Sequence, residues 1–250
     1  MAATDSAGVP WEGRSFDHAA ASDDDGSAPE KLVEALRRFR SRELGEADVV
    51  DAVRESRLLI PLVAVLGETG LAPSGHLVDK SQELSIVTVA GPDGRTVLPV
   101  FTSVSAMAAW DRKARPIPAD GVRVALAAAS EGTDVVVVDP TSDTEFAIRR
   151  PALWAMAKQE PWLPSYLDEQ VLGEFMAAAD GEDAIVAIQL APADPDARLA
   201  APELLVQLSL VDGLDAAALE ALLSRVQTRW ASSDIIANRV DSMTVRLDRA

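Results

Sequence analysis

The chain of 250 residues has no cysteine and only two histidines. Without cysteine there are no disulfides, no thiolate metal sites and no thiol nucleophile. A hydroxyl nucleophile needs a positioned base, and His18 and His76 are the only imidazoles on offer. His18 sits in an acidic N-terminal stretch and His76 in a Gly/Pro-rich loop, so neither is a good candidate. The chain also lacks a G-x-S-x-G elbow, a Walker A or G-x-G-x-x-G loop, and an H-E-x-x-H pair. Carboxylates are the remaining metal ligands and they are scattered. Glu182-Asp183, Asp194 and Asp196 fall beside Gly or Pro, where turn chemistry explains them more simply than acid–base work. The sequence therefore indicates no catalytic set, no cofactor and no metal, although an enzyme using carboxylates or hydroxyls stays open as a third reading. No apolar run reaches the roughly 18 residues of a membrane span. Asp5, Glu12 and Asp17 occupy the region where a secretory signal would be apolar. The expectation is a cytoplasmic protein with no membrane association.

What is abundant is negative charge, −17 at neutral pH with a pI near 4.4. Such a chain repels phosphate backbones and anionic lipid, which argues against nucleic acid and favours a protein partner with a basic surface. Arg37, Arg38, Arg40 and Arg42 form the one basic cluster, with Lys31 upstream, and read as a solvated helix face. Hydrophobic residues make up 48% of the chain, enough for a sizeable core.

Residues 1–27, with Asp23-Asp24-Asp25, lack an apolar period and read as a disordered acidic tail. From Ser27 the spacing predicts a helix with a Ser27/Glu30 capping box, an inner face of Leu32, Val33, Leu36 and Phe39, and a stop at Gly45. A second helix carries Val49, Val50 and Val53. Leu58–Leu66 is a strand in which Pro61 implies an edge or a bulge. A loop, then "ELSIVTVA", "GPDG" and "RTVLPVF", predict a hairpin turning at Asp-Gly. A short helix with Trp110 follows, then "RPIPAD" as a loop, a helix from Gly121, the strand "DVVVVDP", the strand "FAIRR" and a helix from Pro151. "PWLPSYLDE" reads as a docked linker, with Trp162 and Tyr166 calling for burial. Beyond it lies helix-strand-strand-helix-strand. The fold class is α+β, two mixed sheet-plus-helix lobes, divided as tail 1–27, domain 28–160 and domain 161–250.

Thr102 and Ser103 stand at a strand-to-helix junction, where a short hydroxyl side chain caps the helix. An anion at that helix start is the rival role. Phe101 reads as core. Trp110 and Trp154 read as anchors of their helices on the sheet, in preference to walls of a ligand cleft.

The hairpin ending "PVFTS" (Pro99–Ser103), the tryptophan helix, and the strand end Val138-Asp139-Pro140 together resemble the SseB family, named for enhanced serine sensitivity. The likeness spans roughly 30–160, and residues 161–250 look like the C-terminal part of actinobacterial-type members. Asp139 stands where Asn is commoner before the proline, and fills the same turn role. The resemblance implies a soluble cytoplasmic α+β protein with a binding or regulatory task and carries over no catalytic residues. The cluster it singles out is Phe101, Thr102, Ser103, Trp110, Asp139 and Pro140. The functional expectation is a non-enzymatic adaptor or regulatory protein. The alternative is a small-molecule sensor, with amino acids as one ligand class, and a pocket near the Ser103 helix start.

Overall fold

The computed structural model describes residues 24–66 and 82–249. His18, His76 and all but the last four residues of the acidic tail lie outside the described residues. Those last four are not free. Asp24 pairs with Arg57 at 2.8 Å, and the Gly26 carbonyl accepts the Val104 N–H at 3.0 Å. The acidic run thus ends by docking.

Helices α1 (Glu30–Arg40) and α2 (Glu46–Arg54) form where expected, burying Leu32, Leu36 and Phe39, and Val49, Val50 and Val53. Val33, expected on the inner face of α1, is exposed, and Ala35 takes its place. Their ends differ from expectation. Pro29 is the extended N-cap residue of α1, so Ser27 makes no capping box. The chain leaves α1 through Arg42 at φ +63, and Gly45, with ordinary φ, opens α2 instead of closing α1. Arg37 is exposed and Arg38 half-buried, on a face open to solvent, but Arg40 and Arg42 bond to the backbone of Glu145, Pro195 and Asp196. Half of the basic cluster is therefore an internal clamp.

Strand β1 (Arg57–Leu66) lies between β2 (Gln82–Ile86) and β5 (Arg115–Asp120), antiparallel to both. It is a central strand, which the proline had argued against. Leu59 exchanges both backbone bonds with Phe101, and Val87 N–H reaches the Pro61 carbonyl. Pro61 thus falls where one neighbour of β1 gives way to the next, and its missing N–H costs no ladder bond. "RPIPAD" is strand β5 and not a loop. Pro116 and Pro118 oppose Pro61 and Leu59 on β1, so their bonding edge faces away from the ladder.

The predicted first hairpin strand splits between two sheets. β2 joins β1, while β3 (Val89–Ala90) pairs with β4 (Thr96–Val100) around the Gly91–Gly94 turn. β4 runs parallel to β6 (Val135–Val138), and β7 (Phe146–Arg149) completes the order β3-β4-β6-β7. α4 (Gly121–Ser130) and α5 (Arg150–Lys158) pack beside α2 on one face, over Leu98, Val100, Val136, Val138, Phe146 and Ile148. α4 begins so close to α2 that a Cβ on Gly121 would stand 2.3 Å from the Val53 carbonyl oxygen.

The second core surrounds the sheet β10-β9-β8, from β8 (Ile185–Pro192), β9 (Leu204–Leu210) and β10 (Met243–Arg249), with β9 and β10 parallel. Helices α6 (Glu169–Ala178), α7 (Ala216–Ala231) and α8 (Asp234–Arg239) supply Phe175, Trp230 and Ile236 to it. The sequence alone does not mark α8, a six-residue helix capped by Ser233. The fold is α+β. No described helix is long and apolar enough to cross a membrane.

Candidate functional site

Among the six singled-out residues, chemistry concentrates at Asp139. β4 and β6 are parallel neighbours, so the ends of both strands meet side by side. Asp139, at φ +45, turns its carboxylate back across that end. Asp and Asn tolerate this left-handed backbone better than most residues, which explains the residue type. One oxygen accepts the Thr102 N–H at 2.8 Å, and the other accepts the Thr102 and Thr144 hydroxyls at 2.7 and 3.0 Å. Pro140 and Thr141, the latter at φ +65, form the turn closed by the Ser142 N–H on the Asp139 carbonyl.

Ser103 is the cap of α3 (Val104–Trp110), accepting the Ala106 N–H at 3.1 Å. Thr102 is not a cap; its hydroxyl serves Asp139. Phe101 is buried core, and Trp110 is a half-buried anchor with its ring 5.3 Å from that of Phe101. The helix start offers no anion seat, because Gly26 already takes the Val104 N–H and packs on its side chain. Thr102 and Asp139 are only 4% and 2% exposed, so this pair ties two strand ends together, while Pro140, Ser142 and Thr144 of the surrounding turn are half-buried.

A second polar unit joins the two cores. Arg149, at the end of β7, reaches Asp194 at 2.7 Å and Asp241 at 3.3 Å, and Arg95 grips Asp241 from the hairpin turn. Burial pushes the Asp241 carboxyl up, but the two guanidiniums outweigh it and hold it below the ordinary range. Asp194 also accepts the Leu199 N–H, so it is the organising residue of a loop that caps β7, and more than a turn former. Ala197 in that loop accepts the Ala147 N–H at 2.7 Å. Beside it, buried Glu203 binds the Ser165 hydroxyl and the Asp241 N–H, each at 2.7 Å, and burial raises its carboxyl. Tyr166 donates to Glu46 on α2 at 3.1 Å. Burial, reinforced by the charge of Glu203, pushes Glu46 up to about 7, partly offset by the Tyr166 bond. The linker is docked as its aromatics require, with Trp162 against the first core and Tyr166 against the second.

The third feature is a cleft of about 410 Å³ between α5, the linker and α8. Trp154, Trp162 and Leu163 supply apolar walls, and Lys158, Glu160, Asp168, Asn238 and Arg239 the polar groups, with Asp168 paired to Arg239 at 2.7 Å. Trp154 was expected in the core and is instead 42% exposed. The reason is periodicity: Ala152, Leu153 and Met156 take the inner face of α5, leaving Trp154 outside with Arg150 and Lys158 one turn away on either side. The Arg150 guanidinium lies 5.2 Å from the Trp154 ring and donates to the carbonyls of Ala237 and Val240, so both sides of the cleft are fixed to one another. The same helical spacing in the sequence carries this signal.

The molecule is thus an α+β protein whose hairpin motif and Asp-Pro motif are one hydrogen-bonded unit, with a preformed aromatic cleft where its two cores meet. The family model described as SseB protein N-terminal domain matches residues 32–155. The chain belongs to the SseB family. Comparison with curated proteins and with solved structures finds no match.

Proposed function

We propose that this protein is a non-enzymatic cytoplasmic adaptor or regulator, built of domains 28–160 and 161–250, that captures a protein partner in the Trp154 cleft. The exposed Trp154 carries this reading. An aromatic ring held rigid by a cation and bordered by polar groups has the makeup of an interface anchor, and tryptophan leads among such anchors. The net charge of −17 favours a partner segment with an apolar side chain flanked by Lys or Arg. A displayed random-peptide library panned on the protein tests this. Enriched peptides of that composition should lose about tenfold or more in affinity for Trp154→Ala, and keep it for Leu126→Ser, a control at an exposed apolar site on α4. Peptides that bind Trp154→Ala equally well, or no enrichment, refute the reading.

One observation favours a second reading. The cleft volume falls in the small-ligand range of about 300–1,000 Å³, and mixed polar groups converge on two indole rings. A sensor for a small amphipathic metabolite would use this cleft in place of the Ser103 helix start. A thermal shift with amino acids that disappears in Trp154→Ala supports the sensor, and an unchanged melting curve across the panel opposes it.

A further inference from the structure

We propose that the protein pairs with a second copy of itself through β10, two edge strands joining antiparallel about a two-fold axis so that two three-stranded sheets become one of six. This inference is independent of the Trp154 cleft.

The argument begins with an unfinished sheet. β10 is in register with β9 over all seven residues, and its other edge has no partner among the described residues. A long free edge is a template for another strand. Along β9 the inward residues Leu204, Val206 and Leu208 are 0% exposed, whereas Leu247, which sits beside Leu208 on β10, is 39% exposed. The helix over this edge is open as well. α7 buries Leu222, Val226 and Trp230, and leaves a groove of about 690 Å³ along its flank from Ala216 to Ala231. Leu219 on that flank and Leu247 on the strand line one shared hollow of about 350 Å³. Strand edge and helix flank thus form one continuous margin, in which Leu219, Leu223 and Leu247 are interspersed with Glu220, Gln227, Asp248 and Arg249.

The sequence of β10 selects its mate. An axis perpendicular to the sheet keeps both copies of α7 on the same side, and it opposes residues of the same face. With the axis at Leu247, Arg246, which pairs with Asp248 of its own strand at 3.3 Å, also faces Asp248 of the second copy. Asp248 likewise faces its Arg246, so the two charges on the solvent face close into a four-membered network, while on the other face Val245 meets Arg249. Leu247 then meets Leu247 beneath the two α7 flanks. An axis at Arg246 sets arginine against arginine. An axis at Val245 leaves Arg246 against Thr244 and Asp248 against Ser242. Opposite charges across strands stabilise and like charges destabilise, so the Leu247 axis is preferred. A strand that answers its own charges when reversed fits a copy of itself better than an arbitrary peptide.

The absence of cysteine makes the test direct. Light scattering on the full chain should give twice 26.5 kDa. Asp248→Arg should weaken association about tenfold, and the double exchange Arg246→Asp with Asp248→Arg should restore it. Leu247→Cys should form a disulfide dimer under mild oxidation, because each thiol meets only its symmetry mate, while Val245→Cys should not. A monomeric mass at all accessible concentrations overturns the proposal. So does a dimer that ignores the charge reversal, or a disulfide at Val245→Cys in place of Leu247→Cys.

Discussion

Asp139 is the residue on which most of the motif chemistry depends, since one carboxylate satisfies a buried N–H and two hydroxyls. Asp139→Ala leaves the Thr102 N–H unpartnered and should cost about 3 kcal/mol in a urea unfolding series. Asp139→Asn keeps an acceptor for that N–H, tolerates the left-handed backbone and lets both hydroxyls rotate to accept, so it should cost about 1 kcal/mol or less. Equal losses in the two variants would contradict the assigned bonds. Glu46 gives a pH-dependent counterpart. Tyr166, Glu203, Arg149 and Asp194 surround it, and its folded value of about 7 lies above the ordinary carboxylate value of 4.5. The folded state therefore holds a proton that the unfolded chain has released, and the stability this supplies is present below 4.5 and lost as pH rises through about 7. The loss is on the order of 3 kcal/mol. Glu46→Gln stays neutral and keeps an acceptor for Tyr166, so its melting temperature should vary less over that window. A parallel pH profile for the two proteins would show that Glu46 is not the group responsible.

At the scale of elements, local signals were legible and partners were not. Apolar spacing placed α1 and α2 because each needs only its own residues to define a buried face. Ser103 was readable as a cap for the same reason. "RPIPAD" was read as a loop because two prolines weaken a strand, and whether their bonding edge faces outward depends on β1, more than fifty positions earlier. "ELSIVTVA" was read as one strand because nothing within it reports that β2 and β3 belong to different sheets. Of the candidate site, the Thr102–Asp139 contact spans 37 residues and the Arg149–Asp241 pair 92, so neither has a local signature. The outward face of Trp154 could be read from the period of α5 alone. Gly121 shows how tightly one element is set on another. Gly121→Ala would press a methyl group into the Val53 carbonyl and force α4 away from α2, at a cost of about 1–3 kcal/mol by thermal or urea unfolding. A variant as stable as the parent would mean that the approach of these helices is looser than described.

At the scale of the whole molecule, Arg149 makes the two cores depend on each other. Its guanidinium is 6% exposed and answers carboxylates on two separate segments of the second half. Arg149→Met strands Asp194 beside an apolar side chain, and should lower stability by about 3–5 kcal/mol. A loss below about 1 kcal/mol would show that the seam is not a structural tie. The same seam fixes α5 and α8 relative to each other, and with them the Trp154 cleft to which the proposed function is assigned. The most direct measurement is a pull-down from native lysate with wild type, Trp154→Ala and Leu126→Ser side by side, followed by cross-linking and mass spectrometry. The account predicts one dominant partner, cross-linked beside Lys158, recovered by wild type and Leu126→Ser and lost from Trp154→Ala. Recovery of the same partner by Trp154→Ala, with cross-links elsewhere, would contradict it.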